Sequence, residues 1–257
     1  MSGWLLLFVP AALFAAEPFE GTWRIDLQKV ELPKKPQTIE LANGMYKCST
    51  CVPKISVKAD GTDQKVTGDP AYDTLNVKIL DAQTVEETYK KGGRTVTIDK
   101  VTVSADGSHA TTEVASYPEK SAQPVTSKVT LVRVAKGPPG SNAYSGTWRY
   151  EKIDAASDNA LTITYKNTPD GLAMSDPTGE SYVCKFDGKD CAVTGDRASD
   201  SVSLKRIDAN TFEETFKKDG KVVSMNRLTA SADGKSMSVT SESKLQGTTI
   251  KLMLAKQ

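Results

Sequence analysis

Polar and apolar side chains alternate along most of this chain in short runs, and Gly, Asp, Asn and Pro interrupt the runs at close intervals. Runs rich in Val, Thr, Ile and Tyr with a period of two predict strands at 21–27, 38–41, 45–48, 54–58, 74–80, 84–90, 95–103, 111–116 and 126–134. The series recurs from 146–153 to 249–254. Tight-turn dipeptides such as Asn43-Gly44, Asp60-Gly61, Gly92-Gly93, Asp106-Gly107, Asp187-Gly188, Asp219-Gly220 and Asp233-Gly234 punctuate both halves. No stretch of ten residues holds a helical period. Connections this short join neighbouring antiparallel strands, because parallel crossovers need a dozen residues or more. A meander of about eight or nine strands leaves two bare edges unless it curls shut, which predicts an all-β chain of up-and-down barrels.

The second half repeats the first. Phe19-Glu20-Gly21-Thr22-Trp23-Arg24 recurs as Tyr144-Ser145-Gly146-Thr147-Trp148-Arg149. Residues 66–107 match 193–234 at a constant offset of 127 without a gap, and 22 of these 42 positions are identical. Such a match is specific evidence for duplication, and two large units are too few for a solenoid. Lys136-Gly137-Pro138-Pro139-Gly140-Ser141-Asn142 lies between the copies and has the composition of a linker. The expected organisation is a leader at 1–16, one barrel in 17–136, a linker at 137–142 and a second barrel in 143–257.

One hairpin can be placed in register. A three-residue loop at Asp208-Ala209-Asn210 sets Ile207 opposite Thr211, Arg206 opposite Phe212, Leu204 opposite Glu214 and Val202 opposite Phe216. The same register in the first copy puts Leu75, Val77, Ile79, Val85, Glu87 and Tyr89 on one face. Each copy therefore turns one glutamate, Glu87 or Glu214, among apolar side chains, where a carboxylate is costly unless paired or protonated. Two readings follow: the glutamates bind a polar ligand group together with Tyr89 and Phe216, or each is held by a basic neighbour such as Lys100 or Arg227 or lies at the wet barrel rim.

The four cysteines suit disulfides. An Asp187-Gly188 turn would bring Cys184 opposite Cys191, within disulfide reach. The Cys48-Ser49-Thr50-Cys51 motif could be a redox pair, half a zinc site or a local bridge. It lacks a helical βαβ setting and nearby histidine, which favours a structural bridge.

Thirty-three Lys and Arg against 32 Asp and Glu give a net charge of +1, which argues against a dedicated nucleic-acid binder. Residues 1–16 carry no charge, are almost wholly apolar and end in small residues, as a secretory signal does, so a secreted or periplasmic location is expected. The run is too short for a transmembrane helix, and aromatics at 7% show no girdle of an outer-membrane barrel. Catalytic chemistry is thin. The single histidine, His109, sits beside a turn, no catalytic or phosphate-binding motif appears, and the neighbours Glu86-Glu87 and Glu213-Glu214 point to opposite faces. No catalytic residue, metal or cofactor is assigned.

The Gly-Thr-Trp segments at Gly21 to Trp23 and Gly146 to Trp148 resemble the opening strand of the lipocalin and fatty-acid-binding-protein group, the calycins. The resemblance implies a lipocalin-like meander barrel of eight to ten strands with a ligand cavity whose base Trp23 or Trp148 closes. It also implies a basic residue of the last strand stacked on that Trp, a part that Arg133 would take for Trp23 and Lys251 or Met253 would supply less well for Trp148. The expected function is an exported, non-catalytic binding protein, each barrel holding a small apolar or amphipathic ligand. The alternatives are an envelope scaffold with side-chain-filled barrels and an unfamiliar enzyme.

Overall fold

The computed structural model describes residues 18–257, so the apolar leader at 1–16 lies outside the described residues. The strands are β1 (Gly21–Ile25), β2 (Gln37–Ala42), β3 (Met45–Cys48), β4 (Ile55–Lys58), β5 (Asp63–Lys65), β6 (Thr74–Ile79), β7 (Thr84–Lys91), β8 (Arg94–Val103), β9 (His109–Ser116) and β10 (Val125–Lys136). They continue with β11 (Gly146–Ala156), β12 (Thr162–Thr168), β13 (Gly171–Ser175), β14 (Ser181–Cys184), β15 (Asp187–Ala192), β16 (Ser201–Asp208), β17 (Thr211–Lys218), β18 (Lys221–Ala230), β19 (Ser236–Ser243) and β20 (Thr248–Lys256). No helix among the described residues is long and apolar enough to cross a membrane.

The strands form two nearly closed antiparallel sheets of ten, one more than the eight or nine read from alternation. The strand that alternation missed in the first copy is β5, whose Asp63, Gln64 and Lys65 carry no apolar position.

The barrels do not coincide with the repeats. One sheet runs β4-β3-β2-β11-β10-β9-β8-β7-β6-β5 and the other β14-β13-β12-β1-β20-β19-β18-β17-β16-β15. The first strand of each repeat has been exchanged. Residues 37–156 make a contiguous barrel closed by β11, while β1 crosses over to complete a split barrel with β12–β20. The expected division into 17–136 and 143–257 is corrected accordingly. So is the linker: residues 137–142 form the hairpin loop from β10 to β11 within the contiguous barrel. The loop is anchored at its first residue, since a Cβ on Gly137 would lie 2.4 Å from the Ser145 side chain, while Pro138, Pro139 and Gly140 are exposed. The buried Ser145 hydroxyl in turn accepts from Leu41 N at 2.8 Å and donates to Leu41 O at 3.1 Å.

Local chemistry accounts for the exchange. Both first strands carry Gly-Thr-Trp-Arg, so either fits either slot. Residues 26–36 contain Pro33 and Pro36, which suit an extended crossing better than a tight β1–β2 hairpin. Along that crossing Glu31 pairs with Lys251 of β20 through backbone bonds of 2.9 and 3.1 Å.

The basic residue on each tryptophan is exchanged too. Arg133 lies 3.9 Å over Trp148, not Trp23, and Lys256 lies 5.3 Å from the Trp23 ring. Gly146 and Gly21 sit at φ +147° and +131°, and a Cβ there would lie 2.5 Å from Arg133 and Lys256 respectively, so the glycine of the motif makes room for the stacked cation. Each indole N–H donates to a carbonyl four residues earlier, Trp23 to Phe19 at 2.7 Å and Trp148 to Tyr144 at 2.8 Å. Both rings are fully buried, and truncating either to alanine would cost about 3–5 kcal/mol.

Interior positions follow the expected register. Val202 opposes Phe216, Leu204 opposes Glu214 and Arg206 opposes Phe212. A bulge places Asp208, rather than Ile207, opposite Thr211. In the first copy Leu75, Val77 and Ile79 oppose Tyr89, Glu87 and Val85, although Ile79 at the strand end is exposed. Arg206 lies 4.0 Å over the Phe186 ring.

Both disulfides are formed. Cys184–Cys191 joins β14 to β15, the two ends of the split barrel's sheet, beside a Ser181–Thr194 bridge with paired backbone bonds of 2.9 Å. The cysteine partners are the predicted ones, but the predicted hairpin is corrected: Asp187 and Gly188 lie within β15 and pair toward β16, so the bond crosses the barrel's seam rather than a tight turn. Cys48–Cys51 is a local bridge at the end of β3 with a Cα separation of 5.4 Å.

A fragment of residues 37–156 is expected to melt cooperatively as a monomer, because it holds every strand of one barrel. A fragment of residues 17–136 lacks β11, the shared neighbour of β2 and β10, and can close only with its own β1 in that slot, so it is expected to melt below 37–156 and to be the more prone to associate. Thermal melts with light scattering after gel filtration distinguish the two. A 37–156 fragment that fails to fold cooperatively, or that melts no higher than 17–136, would contradict the exchanged topology.

Candidate functional site

Each barrel buries one glutamate, and tyrosines rather than cations hold it. Glu87 and Glu214 are each 3% exposed. The expected basic partners face outward instead: Lys100 opposes Glu86, and Arg227 pairs with Glu213 at 3.1 Å. The alternation of the strand puts the adjacent glutamate of each Glu-Glu pair on the outside with the cation.

In the split barrel Glu214 is well provided for. It accepts from Tyr182 Oη at 2.5 Å, Tyr165 Oη at 3.1 Å and Asn226 Nδ2 at 2.9 Å. Burial pushes its carboxyl above the ordinary glutamate range while these three donors pull it back. Aromatic side chains fill the rest of this interior. Phe212 meets Phe19 edge-on at 4.6 Å, and Phe216 lies 6.4 Å from Tyr182.

The contiguous barrel reaches a different solution around Glu87. Tyr89 Oη donates to Glu87 Oε2 at 2.6 Å, and the Tyr46 and Tyr144 phenols add to the pull against burial. The residue opposite Glu87 is Asp99, whereas the residue opposite Glu214 is Asn226. Two carboxylates thus stand on opposed positions of β7 and β8. Burial, then the neighbouring Glu87, pushes Asp99 from the ordinary 3.8 up to about 7. Glu87 Oε1 and Asp99 Oδ1 are both buried without a hydrogen-bond partner. In the split barrel the corresponding orphan is the neutral amide oxygen of Asn226.

Asp99 lies at the wall of a cleft of about 420 Å³ between the two barrels. The contiguous barrel contributes Tyr72 and Tyr89, whose rings meet edge-on at 4.9 Å. The split barrel contributes Glu180, Asp196 and Arg197. Burial, then Asp196, Asp176 and Glu214, pushes Glu180 up to about 8. Arg197 reaches across the cleft to the Tyr117 carbonyl and lies 3.7 Å from Glu119. A second, more apolar cleft of about 290 Å³, lined by Leu32, Pro36, Val129, Tyr150, Ile153 and Ile250, also lies between the barrels.

Of the residues expected to bind a ligand, the structure brings Glu87 and Tyr89 to the region of the Asp99 cleft. Trp23 and Trp148 are sealed under their cations, and Glu214 and Phe216 sit in the packed split-barrel core. His109 is exposed on a hairpin, its Nε2 3.7 Å from Glu151. Asp99, Tyr72, Glu180, Asp196 and Arg197 were not anticipated. Extending the Gly92-Gly93 hairpin without a bulge sets Ile98 opposite Glu87, but a register shift between Tyr89 and Lys90 brings Asp99 there instead.

In comparisons with known proteins, the chain matches no family model, no curated protein and no solved structure.

The raised Asp99 carboxyl has a consequence for stability. Protonated in the fold but ionised in the unfolded chain between pH 3.8 and about 7, it favours folding fully below that window and loses its contribution as pH rises through it. Asp99→Asn, which copies Asn226, is expected to leave the melting temperature near wild type at about pH 4. It should raise it by a few degrees above about pH 7, a gain of roughly 1–2 kcal/mol. Melts across this range check the sign, and a variant less stable than wild type at the upper end would contradict it.

Proposed function

We propose that this chain is an exported, non-catalytic binding protein with lipocalin-like barrels, and that its ligand sits in the cleft between the barrels at Asp99. The observation that carries this reading is a pair of buried, unpartnered carboxylate oxygens, on Glu87 and Asp99, beside an open cleft with aromatic walls. A cleft of a few hundred cubic ångströms with a few convergent polar groups has the dimensions of a small-molecule site. Carboxylates and phenols supply recognition: acceptors, donors and flat aromatic faces. Export is supported by the uncharged, apolar residues 1–16 and by two disulfides, which persist in oxidising compartments.

The near-zero exposure of Trp23, Phe19, Phe212, Leu204 and Met237 argues for placing the ligand outside the split barrel's interior. The same packing favours the second reading, a scaffold whose barrels are filled by their own side chains.

Ala71 lines the cleft beside Tyr72, so Ala71→Trp obstructs it from the surface. Native mass spectrometry of protein purified from its own host is expected to reveal a retained small molecule, lost in Ala71→Trp. Melting-temperature shifts across a metabolite panel should disappear in the same variant. No retained molecule and no thermal response would favour the scaffold. Responses that persist in Ala71→Trp would place the site elsewhere.

A further inference from the structure

Resting on the reading of the inter-barrel cleft as a binding site, we propose that it takes a ligand with a protonated amine beside an apolar or aromatic body, and that Asp99, backed by Glu87, is its anionic anchor.

The duplication supplies an internal control. At matching positions of the repeats, Asn226 donates to Glu214 at 2.9 Å, whereas Asp99 in its ionised form has no proton to give Glu87. The chain therefore gives the glutamate a neutral donor in one barrel, leaving only the Asn226 amide oxygen unpaired, and forgoes that donor in the other. It forgoes it where the position lines an open cleft. Strained or unsatisfied polar groups that persist beside a cleft, against a locally better alternative, mark function rather than folding.

What would satisfy the pair is a positively charged donor. Among the described residues, neither Glu87 nor Asp99 forms an ion pair with a Lys, Arg or His that would serve instead. An ammonium brings three donors and the compensating charge in one group. The edge-on Tyr72 and Tyr89 rings beside Asp99 suit the body of such a ligand and attract its charge through their faces. Across the cleft Asp196 adds negative potential, which Glu180 joins only as its carboxyl, pushed up to about 8, ionises; the cleft's own cation, Arg197, donates to the Tyr117 carbonyl and lies 3.7 Å from Glu119, while its Nε makes no hydrogen bond. A metal ion fits less well, since no group of three or more His, Cys, Asp or Glu among the described residues is placed to hold one.

The test is calorimetric titration of the mature protein at about pH 8 with benzylamine and, as its neutral counterpart, benzyl alcohol. Benzylamine is expected to bind at low millimolar concentration or tighter, and benzyl alcohol at least about tenfold more weakly. Asp99→Asn is expected to weaken benzylamine about tenfold or more while melting no lower than wild type, which separates lost recognition from lost folding. Asn226→Asp, in the packed barrel, should leave the benzylamine affinity unchanged. Equal binding of the two probes, or full benzylamine affinity in Asp99→Asn, would overturn the amine assignment and leave the cleft reading intact. No benzylamine binding up to about 10 mM would mean that the carboxylates merely share a proton, and would also overturn it. The cleft reading then rests on the retained-ligand measurement alone.

Discussion

Each tryptophan of the repeated Gly-Thr-Trp motif is sealed by a cation from the other repeat's last strand, and the architecture depends on that exchange. Arg133 over Trp148 also donates to the carbonyls of Ser145 and Ala143, both at 2.6 Å, so one side chain fixes the indole and the loop that delivers it. A ring this large, stacked under a guanidinium and hydrogen-bonded through its N–H, leaves little freedom in where the first strand can lie. Because the strands are traded, the chain crosses between barrels twice, at 26–36 and at 157–161. Two crossings restrain the barrels far more than one flexible tether would. Contacts such as Lys35 to the Gln246 carbonyl at 2.9 Å and Gln246 to the Val52 carbonyl at 3.0 Å reinforce them. The cleft is thus a preorganised feature of the fold.

Duplication left the two barrels free to diverge inside a common frame. Features that hold the frame recur in both: Lys90 meets Asp63 at 2.7 Å and Lys217 meets Asp190 at 2.6 Å, at positions related by the repeat offset. The surroundings of the buried glutamate do not recur. Tyr165 and Tyr182 reach Glu214 from β12 and β14, whereas Tyr89 reaches Glu87 from its own strand. A buried carboxylate demands donors, but the demand does not specify which strand provides them. That latitude let one barrel surround its glutamate with three donors while the other set a second carboxyl, Asp99, beside it at the wall of the cleft.

Much of the frame was legible because it rests on local rules. Alternation gives strands, Asp-Gly gives turns, and a three-residue loop fixes the register that turns Glu214 and Glu87 inward. The Cys184–Cys191 pairing was found by turn logic that the structure does not use, because Asp187 and Gly188 lie in β15 and the bond spans the seam between two unpaired strands. Three features lay beyond those rules. Two first strands of nearly identical sequence compete for two equivalent slots, and periodicity cannot say which takes which. Gly137 to Asn142 has the composition of a linker, yet Gly137 packs against Ser145, a tertiary contact. Asp99 comes opposite Glu87 only through a one-residue bulge, and a single residue of slip decides which face a side chain occupies.

The strand exchange can be tested at a single pair of residues. Thr22 opposes Thr164 with hydroxyl oxygens 3.1 Å apart, and Thr38 opposes Thr147 in the same geometry at 3.1 Å. A barrel built from its own repeat would instead set Thr22 against Thr38. Paired Cα positions in antiparallel strands lie within disulfide reach. Under mild oxidation, Thr22→Cys with Thr164→Cys is predicted to cross-link, and Thr22→Cys with Thr38→Cys is predicted to stay reduced, as read by peptide mass mapping. The opposite outcome would show that each repeat closes its own barrel.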